Sequence, residues 1–181
     1  APVMAVCMAI ALCRCSRSEK NQERYKAFSY TSPVTIHYLR DVPQHTDTVA
    51  RWIFETFPHE FQDTSFEEWL EVVNHPERVT FVAVENGQAL GTATLDFEDL
   101  PPRNDLTPWL ASVYVLPEFR AKGLGATLME AVEKEAKAKG FERIYLHTSD
   151  RAAFYAKRGW AVIDTVDYWQ KINTVMVKVL A

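Results

Sequence analysis

Beyond residue 15 the chain has no cysteine; Cys7, Cys13 and Cys15 are its only three. Disulfides therefore do not hold the rest of the chain together, and no thiol there can carry a covalent acyl group. No Cys/His group at zinc spacing follows Cys13 and Cys15, so no metal is expected. A basic excess is also missing. Lys and Arg number 20 against 24 Asp and Glu, a net charge of -4, which leaves no global footprint for nucleic acid and makes a small anion in a local cationic pocket the better match. The apolar stretch Val3 to Leu12 is too short to span a membrane and lacks the cationic start of a secretory signal. No membrane partner is expected.

What is present suits one globular domain. The 181 residues are 48% hydrophobic and 24% charged, too apolar for a disordered chain, and no internal repeat or long Gly/Ser linker divides them. Residues 14–30 are polar and arginine-bearing, with only Glu19 and Glu23 as acids. That composition is compatible with an organelle transit peptide, and a disordered tail or appended leader fits it equally. The expected organisation is a leader over 1–32 and a folded domain over 33–181. A cytoplasmic location is expected, with organelle targeting by the leader as the alternative.

From Val34 a strand pattern leads to a helix bearing Val49, Ile53, Phe54 and Phe57, which Pro58 stops. Ser65 with Glu68 predicts a capping box for a second helix. Val79 to Glu85 and Ala89 to Phe97 flank Asn86-Gly87, the residues that a two-residue hairpin turn prefers. Trp109 to Val115 is an apolar strand. The helix after it buries Leu124, Leu128, Val132 and Ala136, presents Glu130/Lys134, Glu133/Lys137 and Glu135/Lys139 outward, and ends at Gly140. A strand over Arg143 to His147 follows, then a helix capped by Ser149 or Asp150 and closed by Gly159, then strands over 160–166 and 174–180. Such an order implies an α/β (α+β) fold with a mixed sheet, since strands joined through helices can run parallel.

The stretch "FRAKGLGATLME" places Arg120, Gly123 and Gly125 at the mouth of a helix, where unpaired N–H groups and the dipole favour an anion. A nucleotide P-loop needs Gly-Lys followed by Ser or Thr, and here Lys122 precedes its glycine. A dinucleotide loop needs a third glycine where this chain has Leu128. Neither fits. The remaining pattern, Arg-x-x-Gly-x-Gly after "VYVLPE" and before "AFYAKRGW", resembles the acetyl-CoA signature of the GCN5-related N-acetyltransferase (GNAT) superfamily over roughly residues 34 to 180.

That resemblance implies a largely antiparallel twisted sheet of six to seven strands, helices on both faces, and a splay between strands four and five. It implies an acetyl-CoA-dependent N-acetyltransferase that moves the acetyl group directly to a primary amine, a small molecule or a peptide, in a ternary complex. Backbone groups of Val113 and Val115 would pair with the pantetheine arm. The amides of Arg120, Ala121, Lys122, Gly123, Leu124, Gly125 and Ala126 would hold the pyrophosphate, and Ser149 or Asp150 would add a contact. Tyr155 stands where similar proteins place a hydroxyl beside the cofactor sulfur; a phenol of pKa about 10 stays protonated at neutral pH and can serve the departing thiolate. Asp96, Glu98, Asp99, Glu118 and His147 are candidates to take the amine's proton, and Ser112 to hydrogen-bond the acetyl carbonyl or a relay water. Trp52, Phe54, Phe57, Phe61, Phe66 and Trp69 read as core. Tyr168 and Trp169 lie where the acceptor groove of similar proteins forms. Alternatives are a non-catalytic acyl-CoA-binding module and a transferase using another acyl-CoA. Homodimers are common among similar proteins, and nothing in these residues decides for one.

Overall fold

A computed structural model describes residues 33–58, 63–168 and 170–180. The leader over 1–32, its cysteines, Phe61 and Trp169 lie outside the described residues. The described residues form seven strands and four helices: β1 Thr35–Tyr38, α1 Thr46–Thr56, α2 Phe66–Val73, β2 Val79–Glu85, β3 Gln88–Asp96, β4 Trp109–Val115, α3 Leu124–Ala138, β5 Arg143–Thr148, α4 Ala152–Ala156, β6 Ala161–Tyr168 and β7 Lys171–Val179. They form one mixed sheet in the order β1-β2-β3-β4-β5-β7-β6, in which only β4 and β5 run parallel. This is the fold class that the element order implies.

Strand alternation assigns the two faces. Phe81, Ala83, Ala93, Leu95, Leu110, Ile144 and Leu146 point to one side and join Leu124, Leu128, Met129, Val132 and Ala136 of α3 in the main core. Val82 and Ala89 point to the other, under Val49, Ala50 and Ile53 of α1 and Trp69 and Val73 of α2. The capping box at Ser65 forms as expected: its Oγ accepts from the Glu68 amide at 3.2 Å, and its own N–H reaches Glu68 Oε2 at 2.7 Å.

Several boundaries differ from the sequence expectation for local reasons. α4 is five residues long, and neither Ser149 nor Asp150 caps it. The Thr148 hydroxyl instead accepts from the amides of Asp150 (3.4 Å) and Arg151 (3.0 Å), so the turn is set one residue earlier. β7 starts at Lys171 because the β6–β7 hairpin zips up to Tyr168 opposite Lys171. Glu135 and Lys139 pair at 3.5 Å as expected, whereas Glu133 places both carboxylate oxygens 2.8 Å from Lys178 of β7 and ties α3 to the sheet.

Candidate donor site between β4 and β5

β4 and β5 touch only at their start, where Trp109 faces Tyr145 and the Tyr145 amide donates to the Pro108 carbonyl at 2.9 Å. Beyond that pair they separate. The irregularity that shapes the gap is on β4: Thr92 faces Tyr114 while Thr94 faces Ala111, so β4 carries one extra residue, and Ser112 absorbs it at φ 53°. Such a bulge shifts the side-chain alternation by one. Leu110, Val113 and Val115 consequently all border the α3 core, and Tyr114 turns to the α1 side, where its ring lies 5.1 Å from that of Trp52.

Hydrogen bonds fix which backbone groups face the gap. The Leu116 amide donates to Leu90 across β3 at 3.0 Å, and Tyr114 pairs with Thr92. By antiparallel alternation the Val113 carbonyl and both polar groups of Val115 then point away from β3, into the gap. The Val115 carbonyl is already engaged, because Arg120 Nε donates to it at 2.9 Å. Of the Val115 pair expected for a pantetheine arm, the N–H faces the gap and the carbonyl anchors the loop.

The gap ends at the mouth of α3. Gly123, the residue before the helix, sits at φ 87°, and Ala121 at φ 60°. The first helical bond closes from the Thr127 amide to the Gly123 carbonyl at 3.2 Å, so the amides of Leu124, Gly125 and Ala126 have no intrahelical partner. Gly123 needs its positive φ. Gly125 has no such need: a Cβ there would meet only Val115 Cγ2, at 3.7 Å, an ordinary contact, so packing within the protein does not require a glycine at this position. The Lys122 ammonium folds over Phe119, 5.0 Å from the ring centre, and both border a cavity of about 310 Å³ that adjoins the mouth of α3, with Leu124, Thr127, Leu90, Glu85 and Val34 as its other walls. That cavity includes no residue of β5 or α4.

Tyr155 packs on the α3 side of the sheet, beside Phe154 and Trp160 at 5.2 and 6.2 Å between ring centres. Burial pushes its phenol above the ordinary value, and Asp150 pushes the same way. Ser149 and Asp150 are exposed, and Asp150 faces Arg151 at 3.1 Å.

The opposite face carries an acidic group. Asp96 is buried and 2.8 Å from Arg78; burial raises its pKa against the pull of that guanidinium. Asp99 stands 3.2 Å from His147 Nε2, and Arg103 bridges Asp105 at 2.8 Å and Asp164 at 2.7 Å. Gly91 is a residue whose importance the sequence did not flag. A Cβ there would fall 2.6 Å from the Tyr114 carbonyl and 3.2 Å from Leu128 Cδ1, so the glycine lets α3 sit down on β3 and β4. A glycine inside a β-rich run was the available signal. No group of three His, Cys, Asp or Glu among the described residues has the arrangement of a metal site, and no helix among them is long and apolar enough to cross a membrane.

Comparison with known proteins meets this geometry. N-alpha-acetyltransferase 80 of Mus musculus is 40% identical over 55 residues, 30% of this chain and 18% of that protein, so the aligned segment spans less than a fifth of the relative. An aminoglycoside 6'-acetyltransferase type Ii is superposable with a TM-score of 0.64 at 27% identity, over 81% of this chain and 97% of that one. A second aminoglycoside 6'-N-acetyltransferase, solved with coenzyme A, has the same TM-score and coverage at 23% identity and shares the fold. The sequence model of the acetyltransferase (GNAT) family matches residues 46–160, and with the splayed strands and the glycine loop at the mouth of α3 in place, the chain belongs to that family.

Proposed function

We propose that residues 33–181 form an N-acetyltransferase domain that takes acetyl-CoA as donor and an amine as acceptor. The observation that carries the reading is the β4–β5 gap ending on the unpaired amides of α3. A pyrophosphate placed there meets the N–H groups of residues 121–126 and the helix dipole; the Arg120 amide, expected among these donors, is already given to the Pro117 carbonyl at 3.2 Å, while its side chain, tied through Nε to Val115, keeps its terminal nitrogens for the phosphate rim. The pantetheine arm then runs along the gap, its amides within reach of the Val115 N–H and the Val113 carbonyl. Desolvation of the acetyl thioester and alignment of the amine supply the proximity term.

Chemically, the amine nitrogen attacks the thioester carbonyl carbon, the C–N bond forms, and the C–S bond breaks as the intermediate collapses. The CoA thiolate leaves with a hydrogen bond and then a proton from Tyr155, which regains its proton from solvent water before the next turnover; burial favours the neutral phenol in the resting site. The amine's proton leaves through water or a side chain on the acceptor face. Transfer is direct, since the three cysteines precede residue 16.

Asp96 is paired with Arg78, whereas one guanidinium, Arg103, serves both Asp105 and Asp164, and Asp99 has His147 beside it. Two arginines against four carboxylates leave that face acidic, which favours a cationic amine as acceptor. Calorimetric titration with CoA, followed by thiol release from acetyl-CoA with a panel of monoamines, polyamines, aminoglycosides and peptide N-termini, tests both steps. Micromolar CoA binding with amine-dependent thiol release is expected; binding without release for any amine would leave a CoA-binding module instead.

A further inference from the structure

His147 ends β5 on the face away from α3, with its side chain 12% exposed. Its two ring nitrogens meet two different segments. Nε2 is 3.2 Å from Asp99 Oδ2 in the loop between β3 and β4, and Nδ1 is 3.2 Å from Asn173 Oδ1 on β7. The orientation of the Asn173 amide is set independently. Its Nδ2 donates to the carbonyls of Tyr168 (3.2 Å) and Lys171 (3.1 Å), which close the β6–β7 turn, so its oxygen must face the imidazole.

Both partners of the ring are therefore acceptors. A neutral imidazole has one N–H and one bare lone pair, and either tautomer would set that lone pair against an oxygen lone pair. The doubly protonated ring donates to Asn173 through Nδ1 and sets a positive charge beside the Asp99 carboxylate, with no lone pair facing an oxygen. Trp109 and Tyr168 stand nearly perpendicular to it, 6.2 and 6.4 Å away between ring centres, and hold its plane. Of the charged groups on the packed elements, Asp99 faces the ring directly, and Asp96 behind it is paired with Arg78.

We propose that His147 is a positioning residue held as an imidazolium, which pins the β3–β4 loop through Asp99 and the β6–β7 turn through Asn173 to the end of β5, beside the β4–β5 gap. Neither ring nitrogen offers a lone pair to an incoming amine, so His147 is not the group that deprotonates the acceptor. That last statement rests on the acetyltransferase reading; the pin itself does not.

The test separates the two. In ring-nitrogen NMR of the labelled full chain at pH 7, both His147 nitrogens are expected to carry protons; one pyridine-type nitrogen overturns the proposal. Backbone hydrogen exchange then reads the pin. His147→Gln is expected to speed exchange by about tenfold or more in both the 97–108 loop and the β6–β7 turn while leaving β1 to β3 unchanged, and Asp99→Asn to speed it in the loop alone. Equal exchange in wild type and both variants would overturn the pin. Calorimetry with CoA runs beside these arms: loss of CoA binding by the wild type would count against the acetyltransferase reading and leave the pin standing, whereas unchanged CoA affinity in His147→Gln is the expected result.

Discussion

Tyr155 and the two loop glycines separate chemistry from scaffold at the level of single residues. Removing the Tyr155 hydroxyl leaves its ring packing against Phe154 and Trp160 intact, so Tyr155→Phe should fold normally and bind CoA within about twofold of wild type. Losing the proton donor should lower kcat by about 10²-fold or more; an unchanged kcat in thiol-release kinetics would remove the residue from the mechanism. The pH dependence follows from the direction of the shift. Burial raises the phenol above its ordinary 10.0, so the neutral form is favoured in the folded state; its stabilising effect is full below pH 10 and is lost as pH rises through the higher folded value. Below pH 10 no alkaline fall in kcat should trace to Tyr155. Gly123 and Gly125 should behave oppositely to each other. Gly123→Ala forces an alanine to φ 87° and should cost about 1–2 kcal/mol in urea unfolding. Gly125→Ala makes only an ordinary contact with Val115 Cγ2, at 3.7 Å, so its stability should hold or rise by about 0.5 kcal/mol, while CoA affinity drops about tenfold because the methyl group occupies the phosphate's approach. Undiminished CoA binding by Gly125→Ala would move the pyrophosphate elsewhere.

The elements are held by contacts of very different range, and that decides what the sequence revealed. The helix α3 with its loop, the Ser65 capping box and the β2–β3 hairpin are written in spacings of two to eight residues, and each forms where the residues put it. The bulge at Ser112 leaves no such trace. It exists because the three residue steps from Ala111 to Tyr114 on β4 must span the two steps from Thr92 to Thr94 on β3, a relation between strands that no window along one strand contains. The same holds for Asp99, His147 and Asn173, which lie 26 or more residues apart and meet only in the folded sheet. Gly91 is the sharpest case. Its side of β3 must admit both the Tyr114 carbonyl and Leu128, and an added Cβ 2.6 Å from a backbone oxygen cannot be relieved by a rotamer change. Gly91→Ala should therefore cost about 1–3 kcal/mol or more through a shift of β4 or α3. Because the same shift moves the mouth of α3 relative to the gap, CoA affinity should fall with it. A variant with wild-type unfolding midpoint and wild-type affinity would show that α3 is seated by other contacts.

At the scale of the whole sheet, the Trp109–Tyr145 pair is, among the described residues, the only ladder contact that joins β1 to β4 with β5 to β7. The remaining connection runs through side chains, chiefly α3 lying across both parts, with Leu128 over Gly91 and Glu133 held by Lys178 of β7. A sheet divided in this way leaves backbone groups on β4 unpaired, and the Val115 N–H is one of them. A donor in the gap would occupy the place of the missing strand, joining the two parts through hydrogen bonds as well as through α3. Two measurements follow from that arrangement. CoA at about a hundred times its dissociation constant should stabilise the protein by about 2.7 kcal/mol. Hydrogen exchange should also show new protection at the Val115 amide and at the amides of residues 124–126, while the β1–β2 ladder, remote from the gap, changes little. CoA that stabilises the protein without slowing exchange at Val115 would mean that the pantetheine arm does not lie along β4, and the gap would lose its assignment even with the loop at α3 confirmed.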